Sequence, residues 1–225
     1  MRNVTRTSKP KSLEKNAKKW TSDLISEICR CKAAGIIVDE KFYNKYRKED
    51  VKEALKKMYN DLCCYCEQQV GTTDYLNIEH RKPKRAIKGI PPKPYPELTY
   101  EWDNLHLSCK ICNTIKGNKF DITNPILDAV IDNPIEKHFN YTEGTDGINW
   151  TPLTSEGKTT EQHTGLNREP LPFNRLKILG NVFMILNDIK KNPSNPANTV
   201  ALNEVKKKVK GPYGSLVQFV LNTFV

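Results

Sequence analysis

Two stretches decide how this chain is read: residues 63–85, CCYCEQQVGTTDYLNIEHRKPKR, and residues 99–118, TYEWDNLHLSCKICNTIKGN. Each holds a C-x-x-C pair, Cys63 with Cys66 and Cys109 with Cys112, and 42 residues separate the pairs. A C-x-x-C turn sets two sulfurs on one side of a tight knuckle, so two knuckles can close a tetrahedral site, with Zn²⁺ the expected ion. The gap is longer than a simple ribbon needs, which predicts other material inserted between the knuckles. Cys64 lacks the knuckle spacing to Cys66 and reads as a bystander. Within the insert, DYLNIEH reads as a strand through Tyr75, Leu76 and Ile78 ending at Glu79 and His80. EWDNLHLSC reads as a returning strand or loop through Leu105 and Leu107, and NTIKGNKF as a helix or turn starting at the second knuckle.

Strand, loop, strand and helix, carrying Ile-Glu-His at 78–80, Asn104 in WDNLHL and Asn113 in CKICNTIKGN, resemble the HNH nuclease superfamily and its ββα-metal site. The resemblance covers about residues 61–120 and implies an endonuclease that hydrolyses nucleic-acid phosphodiester bonds. It places His80 as general base, Glu79 and Asn113 as ligands of a catalytic metal, and Asn104 as the residue that orients His80 or its loop. Asn113 stands where the family name expects a final His. The chemistry is reasonable on its own terms: His titrates near neutrality, and hard oxygens suit Mg²⁺ or Mn²⁺ better than zinc. Lys116, three residues beyond Asn113, is expected on the same side, holding the scissile phosphate. His106 alternates with Leu105 and Leu107 and is expected to point away from the core; His138 and His163 read as solvated loop residues.

Around this core the chain has 225 residues, 37% hydrophobic and 28% charged, with no apolar run of about 18 residues and no leader-like start, so a cytoplasmic protein without a membrane span is expected. In a reducing compartment paired cysteines favour metal over disulfides. Net charge is +10, and residues 1–60 hold 16 of the 36 basic residues against 8 of the 26 acidic ones. That basic arm suits a polyanion or a solvated tail equally. After His80 come Arg81, Lys82, Lys84, Arg85, Lys88 and Lys93 with no acid before Glu97, a run that predicts contacts to nucleic-acid phosphates. Tyr95, a lone aromatic in that loop, reads as packing rather than as a base stack.

Helical spacing predicts helices from Thr21 to Gly35, with Cys29 and Cys31 as buried small residues, and over about 49–60. A hairpin or two is expected in 138–160, then a helix over 171–190 buried on most of its circumference, a lysine-rich helix over about 199–210, and an apolar close that docks on this domain or on another subunit. The expected class is α+β, a mainly helical chain around a small zinc-stapled, treble-clef-like ββα core. Its parts are a basic arm and helices (1–60), the core (61–124), and a hairpin with a helical C-terminal region (125–225). MRNVTR, the IEH with its proline and lysines, WDNL with CKICNTIKG, and TGLNREPL at 164–171 are similar to the nuclease subunits of Septu-type anti-phage systems and their retron-associated relatives. That resemblance implies a partner ATPase of the ABC type docking after residue 125, with a homodimer inside a larger complex as one arrangement. The competing reading is a non-catalytic zinc-knuckle protein that binds nucleic acid.

Overall fold

The computed structural model describes residues 3–71, 76–85, 94–132 and 135–224. Their order is α1 (Lys11–Ala34), α2 (Glu49–Tyr59), β1 (Asn77–His80), β2 (Leu105–Ser108), α3 (Lys110–Lys116), β3 (Phe139–Gly144), β4 (Gly147–Pro152), α4 (Ser155–Thr164), α5 (Leu171–Lys191), α6 (Asn198–Lys208) and α7 (Gly214–Phe224). The class is α+β, helices around two small antiparallel sheets. β1 pairs with β2 in the register Ile78 to Leu107, Glu79 to His106 and His80 to Leu105. β3 and β4 form the hairpin expected in 138–160. Tyr75, Lys88 and Lys93 lie outside the described residues.

α1 begins at Lys11 rather than Thr21, because Leu13 and Ala17 continue the buried stripe of Leu24 while the lysines keep to the other faces. Cys31 is buried, but Cys29 is exposed, which corrects the expectation that both are buried. The residues before α1 are not a free arm either. Arg6 Nη1 donates to the Leu105 carbonyl at 2.8 Å and Nη2 to the Asp103 carbonyl at 3.1 Å. Trp102 Nε1 donates to the Thr7 carbonyl at 2.9 Å, and Val4 N to the Ala129 carbonyl at 2.9 Å.

α4 carries no apolar periodicity, since SEGKTTEQHT is polar and holds a glycine. Thr154 Oγ1 caps it by accepting from Gly157 N at 3.1 Å. A Cβ at Gly157 would stand 2.5 Å from the His138 carbonyl oxygen, so the glycine admits a close approach of helix and hairpin. His163 therefore lies on a helix and not in a loop. α5 buries one face through Arg175, Leu179, Val182 and Leu186, while Phe173, Leu176 and Met184 stay exposed, against the expectation of burial all round. α7 closes on this chain itself: Leu216, Val217, Val220 and Leu221 join a hydrophobic core that also contains Leu13, Leu55, Leu107, Ile126 and Leu179. That core runs through all three expected parts of the chain. Among the described residues, no helix is long and apolar enough to cross a membrane.

Candidate active site and metal centre

The knuckles meet as their spacing predicts. Cys63, Cys66, Cys109 and Cys112 are all buried, and their sulfurs lie within 4.8 Å of one another. Cys66 Sγ and Cys109 Sγ are 3.8 Å apart, close to the roughly 3.8 Å between two sulfurs on a tetrahedral ion with bonds of about 2.3 Å. The donor set fits a structural metal on chemical grounds too. Hydrogen bonding from neighbouring thiols, Cys112 foremost, pulls the Cys109 thiol far down, while its neighbours hold Cys112 up and burial holds Cys63 up. Four buried sulfurs this close cannot all ionise unless a cation joins them. Cys64 stays outside the cluster, and its amide donates to the Leu107 carbonyl at 2.8 Å, tying the first knuckle to β2.

Cys109 Sγ also caps α3, accepting from Cys112 N at 3.4 Å. The centre thereby fixes the helix that carries Asn113. Gly117 ends the helix at φ 52°, ψ −128°, a conformation that favours glycine. Beside this helix is a cleft of about 410 Å³. β1 and the loop after it contribute Glu79, His80, Lys84 and Arg85; α3 and its end contribute Asn113, Gly117 and Asn118; Tyr46, Arg47 and Lys52 come from the segment before the core. The structure thus brings Glu79, His80 and Asn113 to one cleft.

His80 is buried, and its Nε2 lies 2.9 Å from the Thr99 carbonyl, which can only accept. Nε2 therefore carries the proton, and in the neutral ring Nδ1 keeps the lone pair. Burial first, and then the charge of Lys84, holds the His80 pKa well below the ordinary histidine value. Tyr46 packs edge-on against the imidazole with ring centroids 4.6 Å apart. Asn104 binds the loop that follows: its Oδ1 accepts from Lys82 N at 2.8 Å, and its Nδ2 donates to the Lys82 and Leu98 carbonyls at 3.0 and 3.1 Å.

Lys116 departs from its expected place. Its side chain is 1% exposed, and its ammonium sits 2.5 Å from Glu79 Oε1 and donates to the His80 carbonyl at 2.9 Å. It is a latch between α3 and β1 and not an open phosphate hook, because a carboxylate buried at Glu79 needs a counter-charge. Burial nevertheless raises the Glu79 pKa, with Lys116 opposing.

The basic run after His80 also divides. Arg81 turns inward, its Nε donating to the Ile126 carbonyl at 2.9 Å, with Asp128 and Asp132 at 3.9 and 3.7 Å. Arg85 pairs with both carboxylate oxygens of Glu40. Lys82 lies 5.5 Å from the Tyr95 ring centroid, and Tyr95 packs against Phe120 at 5.8 Å, as a packing aromatic should. Lys84 donates to Tyr46 Oη at 2.8 Å and to the Tyr43 carbonyl at 3.2 Å. Burial, helped by the charges of Arg47 and Arg85, brings its pKa down to about 7. His106 does not face outward: it is buried, with Nδ1 2.6 Å from Tyr59 Oη. Strand alternation alone would point it outward, but α2 covers that face.

Two features escaped the sequence. Tyr46 and Arg47 join the cleft from outside the knuckled segment, with no local signal that they would. Arg168, inside TGLNREPL, reaches the metal centre: Nη1 lies 3.4 Å from Cys112 Sγ and Nη2 3.9 Å from Cys109 Sγ. The same motif holds the hairpin, since Asn167 exchanges hydrogen bonds of 2.8 Å with both the Trp150 amide and its carbonyl.

Residues 63–119, which hold this ββα unit and its four cysteines, match the family described as HNH endonuclease. The wider chain is similar to two curated relatives. It is 33% identical over 175 residues to the Septu protein PtuB of Bacillus mycoides (strain KBAB4), covering 68% of this chain and 59% of the relative. It is 35% identical over 125 residues to the Septu protein PtuB of Bacillus thuringiensis, covering 54% of this chain and 42% of the relative. The chain thus spans about half the length of these relatives. No solved structure matches it significantly.

Proposed function

We propose that the chain is a metal-dependent endonuclease that hydrolyses nucleic-acid phosphodiester bonds, with Zn²⁺ in the four-cysteine centre and Mg²⁺ or Mn²⁺ held by Glu79 and Asn113. The observation that carries this is the meeting of Glu79, His80 and Asn113 in one cleft whose helix is capped by a metal-centre sulfur. His80 Nδ1 takes the proton of the attacking water, while the Thr99 carbonyl fixes the ring. Asn104 holds the loop behind the base. A divalent ion bound here supplies positive charge for the phosphorane and the leaving oxygen. Likeness to the Septu proteins supports a place in an anti-phage defence complex; a cytoplasmic location and an ABC-type ATPase partner extend that reading.

The Glu79–Lys116 pair favours a second reading, a zinc-knuckle protein that binds nucleic acid without cutting it, since a carboxylate already neutralised is a weaker ligand. Plasmid DNA and structured RNA incubated with Mg²⁺, comparing wild type with His80→Ala, separate the two. Cleavage by wild type and a loss of at least about a hundredfold in His80→Ala is expected from removal of a general base. Equal cleavage by both, or none by either with the partner present, would replace the nuclease reading with the binder.

A further inference from the structure

We propose that Arg47, with Lys52 beside it, grips the phosphodiester backbone of the substrate on a wall of the His80 cleft supplied from outside the HNH segment. The proposal rests on that cleft being a phosphodiester site. Arg47 and Lys52 line the same cavity as His80 and Asn113, yet they lie before residue 63.

The cations of the cleft are not equivalent once their partners are taken into account. Lys116 is spent on Glu79 and Arg85 on Glu40. Lys52 meets Glu49 at 3.0 Å in a surface pair that a phosphate can readily outcompete. Lys84 is held by neutral oxygens. Arg47 is exposed and, among the described residues, has no acid within ion-pair distance. Its guanidinium lies 5.9 Å from the centroid of the Tyr46 ring.

Tyr46 makes this placement firm. It is buried, its ring packs edge-on against His80 with centroids 4.6 Å apart, and its hydroxyl accepts from Lys84 at 2.8 Å. The backbone of Arg47 is therefore fixed next to the residue that packs on the base. With Lys116 on Glu79, Arg85 on Glu40 and Lys52 on Glu49, Arg47 and Lys84 share the cleft without an acid, which leaves it an excess of positive charge. Burial lowers the Lys84 pKa, and the nearby charges of Arg47 and Arg85 lower it further. A phosphodiester supplies the missing charge, and a guanidinium matches its two free oxygens with a planar fork.

DNA and RNA share this backbone, so the test uses both. Full-length protein is titrated, without divalent metal beyond zinc, into fluorescent single-stranded DNA, duplex DNA and RNA of one sequence at several salt concentrations. Arg47→Ala is expected to bind the preferred polymer about tenfold more weakly and to flatten the slope of log K against log salt by roughly 0.7 to 0.9, the loss of one phosphate contact. Arg47→Lys should keep the slope and lose part of the affinity. Lys57→Ala, which removes a charge from the exposed side of α2 outside the cleft, should match wild type. In cleavage assays Arg47→Ala should raise KM and leave kcat near wild type. Identical salt slopes for Arg47→Ala and Lys57→Ala, or no binding of any polymer by wild type, would overturn the grip. A wild type that binds with an Arg47-dependent slope but never cuts would instead sink the nuclease reading and leave the grip standing.

Discussion

His80 commits one ring nitrogen to structure and leaves the other for chemistry. The Thr99 carbonyl can only accept, so the 2.9 Å contact fixes the proton on Nε2. Burial and the nearby Lys84 make the charged ring costly, so its pKa lies well below the ordinary value. A depressed pKa means that the neutral, proton-accepting form persists as pH falls through 6.5 and is lost only further down. The acid limb of log kcat/KM against pH is therefore expected below 6.5. Lys84→Met removes a repelling charge and should move that limb upward, towards the value of a free imidazole. A bound divalent ion pushes in the same direction as Lys84, so profiles for wild type and variant should be recorded at one saturating metal concentration. An acid limb above 6.5 in wild type, or one that Lys84→Met leaves in place, would contradict this account of the base.

At the scale of elements, α3 joins structure to chemistry. Seven residues are too few to hold a helix alone; its first turn is capped by Cys109 Sγ and its last is latched by Lys116 onto β1. Removing the metal should release Cys109 and fray α3, taking Asn113 out of the cleft. Cys109→Ser is expected to lose bound zinc and hydrogen-exchange protection over residues 105–118, whereas Cys64→Ser keeps both. Equal metal content in the two variants would break the link between centre and helix. These elements were legible in the sequence because knuckle spacing and apolar alternation are local signals: β1, β2 and α3 fall where CxxC and the Ile-Glu-His triplet put them. The direction of Lys116, the inward turn of Arg81 and the burial of His106 were not legible, because each depends on a partner far along the chain. Those partners are Glu79, Asp128 with Asp132, and Tyr59. α4 was hidden for another reason: its burial rests on Gly157, Thr160 and Thr164, small residues that no apolar periodicity reveals.

Across the whole molecule, the C-terminal region is built into the four-cysteine core rather than hung from it. Ser215 N donates to Glu67 Oε2 at 3.0 Å, joining α7 to the first knuckle. Leu127 N donates to Thr160 Oγ1 at 2.8 Å, joining the end of the core to α4. A third tie is Arg168, half-buried, whose guanidinium also donates to the Gly165 carbonyl at 2.8 Å while facing the sulfurs of Cys109 and Cys112. Four thiolates on one dication leave a net negative charge, which the half-buried guanidinium offsets. Burial works against the charge on Arg168, but the sulfurs of Cys112 and Cys66 outweigh it and its pKa is raised. Arg168→Ala should therefore lose zinc about tenfold faster to a chromogenic chelator, with helical content unchanged before release. Arg168→Lys should fall between, since it keeps the charge and lacks the fork. Equal release rates for wild type and Arg168→Ala would show that the sulfurs need no help from the C-terminal region. A faster rate would mean that a change in the C-terminal region reaches the metal centre, and through α3 the cleft.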